Sequence, residues 1–170
     1  MPDYSKNSAK IKVAGGNPQM RSIIKKATRW MLGYLVGSRI VDSLEINISL
    51  IDNLKKNEGA FGDCVYTGDN VRPREFDIRI DANQTPYSRL LTLSHELIHV
   101  KQYVKNEMFE YSNASLYGAV RYKNKIYWYD NIKYRKLPWE KEAFAKQRSV
   151  LMEWADANDG YAHIKQRKDY

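Results

Sequence analysis

Residues 90–105 read LLTLSHELIHVKQYVK, and this stretch predicts the helix around which the fold is built. Thr85 and Pro86 precede it as a helix cap and a proline in the first helical turn. At about 100° per residue, the apolar side chains share one face and both histidines, His95 and His99, lie on the opposite face. The apolar face consists of Leu90, Leu93, Leu97, Val100 and Val104. The helix can therefore bury one face in a core and hold two imidazoles over a cleft.

His95, Glu96 and His99 form the pattern H-E-x-x-H, which is typical of a catalytic zinc site. Histidines four residues apart in a helix are neighbours, about 5–6 Å apart at Cβ, so both rings can bind one ion at about 2.0–2.1 Å. Zinc makes a bound water molecule acidic, and Glu96 lies beside the pair, where it can take the proton as general base. We therefore expect a zinc metallopeptidase, a hydrolase that cleaves peptide bonds with an activated water. Two neighbouring histidines without a metal are the alternative.

The third zinc ligand is expected on a later helix. A catalytic zinc site has three protein ligands and one open position. Residues 138–156 predict a helix on which Glu140 shares the apolar face, whereas Glu142 lies on the polar face and is expected in solvent. A buried carboxylate needs a partner, so Glu140 is predicted as the third ligand, with pairing to Lys or Arg as the alternative. His163 is a weaker candidate and is expected to be a surface histidine.

The two motifs together resemble a known family. HELIH at 95–99, followed by PWEKEAFA at 138–145, is similar to the small zincin metallopeptidases that use a glutamate ligand, such as short metallopeptidases of bacteria and their phages. Their second signature is similar to E-x-E-A, and its first glutamate, which binds zinc, matches Glu140. The gap between the motifs is longer here than in the compact members. Zincins with a third histidine match less well, because Lys105 stands where the metzincin pattern needs histidine.

The resemblance also implies a fold and a substrate site. It implies a minimal zincin-like α+β domain with an edge strand beside the active helix, and that strand binds the substrate in an extended form. Residues 76–81 are the implied strand, with Phe76, Ile78 and Ile80 as substrate-binding residues.

The remaining patterns place the other elements. Asn17 and Pro18 predict the start of a helix that ends near Gly37. Alternating apolar residues predict strands over 44–50, 61–66 and 76–81, in a small mixed or antiparallel sheet. The expected organisation is a flexible leader over 1–16, a single domain over 17–160 and a basic tail over 161–170.

Composition limits the cellular context. Cys64 is the single cysteine, which excludes an intramolecular disulfide and a Cys-only zinc site. The first residues lack the apolar core of a secretory signal, and no apolar stretch approaches the ~20 residues of a membrane helix. We expect a cytoplasmic monomer without membrane contact.

The formal net charge of +8 points to an anionic partner. Residues 121–136 concentrate Lys, Arg and Tyr, and Lys123-Asn124-Lys125 predicts a hairpin turn between Tyr-rich strands. Bases can stack on aromatic rings while cations hold phosphates, so the alternative function is nucleic-acid binding with a structural or vestigial zinc site, or a protease recruited to nucleoprotein. The hairpin can equally be a wall of the cleft, with lysines in solvent, and one of its tyrosines can hydrogen-bond an oxyanion. The intact Glu96 favours the peptidase.

Overall fold

The computed structural model describes residues 2–164 and is an α+β protein. Within this range the α-helices are α1 (Pro18–Val36), α2 (Ser38–Val41), α3 (Leu54–Glu58), α4 (Pro86–Val104) and α5 (Pro138–Ala157). The strands are β1 (Lys10–Gly15), β2 (Glu45–Ile51), β3 (Gly62–Thr67), β4 (Glu75–Asp81), β5 (Met108–Glu110), β6 (Ala119–Tyr122) and β7 (Lys125–Trp128). Short 3-10 helices cover Tyr4–Lys6, Tyr129–Asn131, Tyr134–Lys136 and Gly160–His163. No helix within residues 2–164 is long and apolar enough to cross a membrane.

The larger sheet is mixed, which confirms one of the two expected arrangements. Its strand order is β1-β2-β4-β3; the first three strands are parallel, and β3 runs antiparallel to β4. The inward residues of β2 lie opposite those of β4, with Ile46 beside Phe76 and Ile48 beside Ile78. Helix α4 packs against this sheet through β3 and β4 and also contacts α1 and α5. The predicted active helix is therefore the central element of the core.

The predicted helix starts and the hairpin turn are confirmed. The Asn17 side chain caps α1 by accepting a hydrogen bond from the Met20 amide at 2.9 Å, as an N-cap asparagine is expected to do. Thr85 caps α4 in the same way through the Ser88 amide. Lys123 and Asn124 both have positive φ, which a tight two-residue hairpin turn requires. The turn joins β6 to β7 in a second, three-stranded antiparallel sheet, ordered β5-β6-β7.

The predicted flexible leader over 1–16 is wrong in its second half. Residues Lys10–Gly15 form β1, a parallel edge strand on β2, and Ile11 is buried opposite Ile46. Because only one face of this strand is buried, the stretch contains few apolar residues. It is also short and rich in lysine, so its sequence did not indicate a strand. At the other end, Ile164 packs into the same core, so the folded unit extends beyond residue 160.

The predicted substrate strand is also wrong. Residues 76–81 fall within β4, which is an interior strand of the sheet, and Phe76, Ile78 and Ile80 are at most 1% exposed. The edge strand next to α4 is β3, since it pairs with β4 on one side only. Both strands alternate polar and apolar residues, so the sequence pattern could not distinguish the edge from the interior.

Ile11 and Lys10 give a direct test of β1. We expect Ile11→Ala to lower the free energy of unfolding by about 2–5 kcal/mol, because it removes a buried side chain from the core. Lys10→Ala, one residue earlier on the exposed face, should change it by less than about 0.5 kcal/mol. Urea denaturation followed by circular dichroism measures both. Equal, negligible effects would mean that this stretch is a loose leader after all.

Candidate metal centre

Two helices bring the three predicted ligands together. His95 and His99 project from successive turns of α4, and Glu140 lies in the first turn of α5. His95 Nε2 is 3.2 Å from His99 Nε2 and 3.1 Å from Glu140 Oε2, and His99 Nε2 is 3.3 Å from Glu140 Oε1. All three side chains are buried. This His-His-Glu group could bind a metal ion.

The spacing of the two imidazole nitrogens fits a metal ion. Ligands bound tetrahedrally at about 2.0–2.1 Å are about 3.3 Å from one another. The two Nε2 atoms are 3.2 Å apart, and each lies 3.1–3.3 Å from a different oxygen of Glu140. With one donor atom taken from each residue, the three atoms lie within 4.8 Å of one another. A salt bridge between Glu140 and Lys or Arg, the alternative for this carboxylate, does not occur among residues 2–164.

Two glutamine side chains orient the imidazoles. The Nδ1–H of His99 donates to Gln102 Oε1 at 2.8 Å, and the Nδ1–H of His95 donates to Gln147 Oε1 at 2.9 Å. The orientation of the Gln102 amide is fixed, because its nitrogen donates to the Trp139 carbonyl and to the Glu142 carboxylate. With Nδ1 as the donor of each ring, Nε2 is directed at the shared position and is left free to bind a metal, as a metal-binding histidine requires.

Glu140 is charged at neutral pH. Burial acts to raise the pKa of its carboxyl, but contacts with His95 and His99 overcome this and lower the pKa to about 2. A carboxylate in this position attracts a cation to the space between the three donors.

The prediction that Glu142 lies in solvent is wrong. Its side chain is only 7% exposed. Its carboxylate accepts hydrogen bonds from Tyr122 at 2.6 Å and from Gln102 at 2.9 Å. Three lysine ammonium groups surround it, those of Lys101, Lys123 and Lys146. These contacts outweigh the effect of burial and hold the pKa of Glu142 well below its usual range. The helical wheel placed Glu142 on the polar face of α5, and Tyr122 and Lys123 of the second sheet and its turn cover this one residue.

Glu96 lies on the same turn of α4 as His95 but outside the ligand set. It passes close to Gly62 of β3, where a Cβ atom would be 3.2 Å from Glu96 Oε1 and 2.6 Å from Thr92 Cγ2. Only glycine leaves this space open for the two side chains of α4. Burial raises the pKa of Glu96 to about 8, and the Glu140 and Asp63 carboxylates add to the rise while His95 opposes it.

A cavity of about 530 Å³ is lined by His95, one of the three candidate ligands. Its wall includes His95 and Glu96 of α4, Gly62 of β3, and Tyr134 from the 3-10 helix Tyr134–Lys136. Tyr134 is 59% exposed, and its hydroxyl lies near enough to Glu140 that each group shifts the pKa of the other. Burial of the hydroxyl, together with the Glu140 charge, raises the pKa of Tyr134. The cavity thus brings an acid, a phenol and one candidate metal ligand to one surface.

The structure selects one tyrosine of the hairpin region for this cavity. The sequence left that choice open. Tyr122, Tyr127 and Tyr129 instead pack around the ring of Trp139. The sequence patterns did not predict that Gln102 and Gln147 orient the imidazoles. Each glutamine falls close to a predicted ligand on its helical wheel, and that proximity was the signal that could have indicated this role.

The basic groups assigned to nucleic acid are partly engaged within the protein. The Arg121 guanidinium donates to Asn106, and Lys123 lies 3.5 Å from Glu142, whereas Lys125 is exposed. Nucleic-acid binding stays a prediction. His163 lies near Trp154 and is not part of the metal group. Residues 165–170 of the predicted basic tail lie outside the described residues.

No protein-family model matches this chain, and comparisons with curated proteins and with solved structures give no match either. The function of the site must therefore be argued from its geometry.

The role of Gln147 can be tested by metal affinity. We expect Gln147→Ala to weaken metal binding about 10–100-fold, because the His95 ring loses the acceptor that fixes its orientation. Arg148→Ala, the exposed neighbour on α5, is the matched control and should leave the affinity unchanged. Competition with a chromophoric zinc chelator gives both values. An unaltered affinity in Gln147→Ala would show that the ring is held by other contacts.

Proposed function

We propose that this protein is a zinc-dependent peptidase of the glutamate-ligand zincin type. The observation that carries the proposal is the position of Glu96. A buried carboxylate stands next to a His-His-Glu group and faces a cavity. A purely structural metal site has no need for such an acid, and a structural zinc site is normally closed by four protein ligands.

Zinc is the metal that the donor set favours. Two imidazole nitrogens and one carboxylate oxygen match the three protein ligands of catalytic zinc sites such as the His₂Glu type. When bound, the metal supplies Lewis-acid chemistry, polarising a carbonyl and acidifying a water molecule.

Residues of this chain transfer the proton, stabilise the oxyanion, orient the imidazoles and bind the peptide. In its ionised form, Glu96 accepts the proton of the attacking water at a carboxylate oxygen and can return it to the leaving amine. The Tyr134 hydroxyl donates a hydrogen bond to the charge that develops on the carbonyl oxygen. Gln102 and Gln147 hold the imidazoles, and the free edge of β3 offers backbone groups to an extended peptide.

Glu96→Gln tests the peptidase. We expect a fall in kcat of about 10²–10⁴-fold, because an amide cannot accept the proton. Zinc content should stay near one per chain, since Glu96 is not a ligand. Cleavage of a fluorogenic peptide library by the zinc-loaded protein, with metal analysis, measures both, and Glu75→Gln on the exposed end of β4 is the control.

Three outcomes contradict the proposal. Protein loaded with zinc that retains no metal would remove the site itself. Glu96→Gln that cleaves at the wild-type rate would remove the proposed base. If Glu140→Gln loses zinc and unfolds while no variant or wild-type protein cleaves any peptide, the site is structural.

Tyr134→Phe tests the phenol. We expect kcat to fall about 10²-fold, since a single hydrogen-bond donor to an oxyanion contributes about 10²–10³-fold. KM should change little because the ring is retained. Tyr127→Phe removes a hydroxyl from a ring that packs on Trp139 and serves as the control. Equal kcat values for the two variants would exclude a role for the Tyr134 hydroxyl in the reaction.

A further inference from the structure

The cavity beside the metal group carries two cations from separate parts of the fold. Lys55 comes from α3, and Arg135 comes from the 3-10 helix Tyr134–Lys136. Each lies over an aromatic ring that also lines the cavity. The Lys55 Nζ is 4.9 Å from the centroid of Phe61, and the Arg135 guanidinium carbon is 4.6 Å from the centroid of Phe144.

These contacts place both charges in defined positions. Lys55 Nζ also donates to the Gly59 carbonyl at 2.6 Å, so its side chain is held along the cavity wall. The Phe144 ring under Arg135 is in turn 4.6 Å from the His95 ring. The guanidinium is therefore one ring away from a candidate metal ligand. Side chains ordered in advance lose less conformational entropy when a ligand binds.

Neither cation is neutralised by an acid of the described chain. Within residues 2–164, Lys55 and Arg135 form no salt bridge. Of the described residues that line the cavity, Glu96 is the one acid, and it is the proposed general base. The remaining charged groups of the wall are thus the two cations, and Leu91 and the two aromatic rings are apolar parts of the same wall. A positive cleft with apolar walls attracts anions and repels cations.

We propose that Lys55 and Arg135 in this cavity bind a carboxylate of the substrate peptide near the bond that is cleaved. The inference rests on the proposed peptidase function and gives it a substrate class, peptides with an apolar residue and a nearby carboxylate. An Asp or Glu side chain and a free C-terminus offer the same chemistry. The size of the cavity, about 530 Å³, suits a peptide side chain or terminus.

Binding to the inactive protein tests this proposal without requiring cleavage. The probes are fluorescein-labelled heptapeptides with leucine and alanine flanks, a central Glu, Gln or Lys, and an amidated C-terminus; a fourth has central Gln and a free C-terminus. Fluorescence anisotropy with zinc-loaded Glu96→Gln protein gives each affinity. We expect at least one carboxylate peptide to bind about tenfold more tightly than the amidated Gln peptide, and the Lys peptide to bind least.

Variants assign that preference to the two cations. In the Glu96→Gln background, Lys55→Gln and Arg135→Gln should each reduce it about threefold, and Arg135→Glu should favour the Lys peptide. Lys56→Gln and Lys136→Gln remove the same charge from exposed neighbours outside the cavity and should preserve the preference. Whichever carboxylate peptide responds to the variants, central Glu or free C-terminus, identifies the source of the carboxylate.

Three results would overturn the inference. Equal affinities for all four peptides would show that the cavity does not select charge. A preference that persists in Lys55→Gln and Arg135→Gln would place the carboxylate at the metal instead. A single-stranded oligonucleotide that displaces the peptides, and loses affinity in the same two variants, would assign the cations to phosphate.

The test also separates this inference from the proposed function. Cleavage by wild-type protein with no preference for acidic peptides would leave the peptidase standing and remove the carboxylate site. The opposite result is also informative. If the carboxylate peptides bind selectively and the variants abolish this preference, but wild-type protein cleaves no peptide, the carboxylate site stands and the peptidase function is removed.

Discussion

Two imidazole lone pairs and a carboxylate meet in one buried space, and the arrangement of the two long helices depends on this. The His95 and His99 Nε2 atoms are 3.2 Å apart, and each lies 3.1–3.3 Å from a different oxygen of Glu140. A buried carboxylate is costly unless it is paired. A cation between these groups would pair with it, so metal binding and the docking of α5 on α4 should stabilise each other.

A polar support extends from this centre to the second sheet. The amide oxygen of Gln102 contacts His99 Nδ1, and its amide nitrogen donates a hydrogen bond to Glu142. The Glu142 carboxylate in turn accepts a hydrogen bond from Tyr122 of β6 and forms ion pairs with Lys123 and Lys146. The Tyr-rich hairpin thus supports the site from behind, while the chain that follows it supplies Tyr134 and Arg135 to the cavity. The long segment between the two motifs is therefore part of the site.

The successes and errors of the sequence analysis have a common physical basis. The α4 helix, its cap and the inward position of Glu140 follow from helical periodicity, which is a property of neighbouring residues. The errors concern pairing across the fold. Nothing in residues 76–81 indicates that β3 takes the outer position, and nothing around Glu142 indicates that a sheet covers it. Residues 10–15 become a strand only because β2 offers them an edge.

The sequence by itself determined the chemistry of the centre: which side chains share a face of α4, and which carboxylate of α5 points inward. Helix geometry is set by local backbone hydrogen bonds, so these relations hold wherever the helix is placed. The tertiary structure alone decided the strand order, the choice of Tyr134 among the tyrosines, and the meeting of Lys55 with Arg135 on one cavity. Those relations join residues far apart in the chain, and they depend on how apolar faces pack together, which no local pattern specifies.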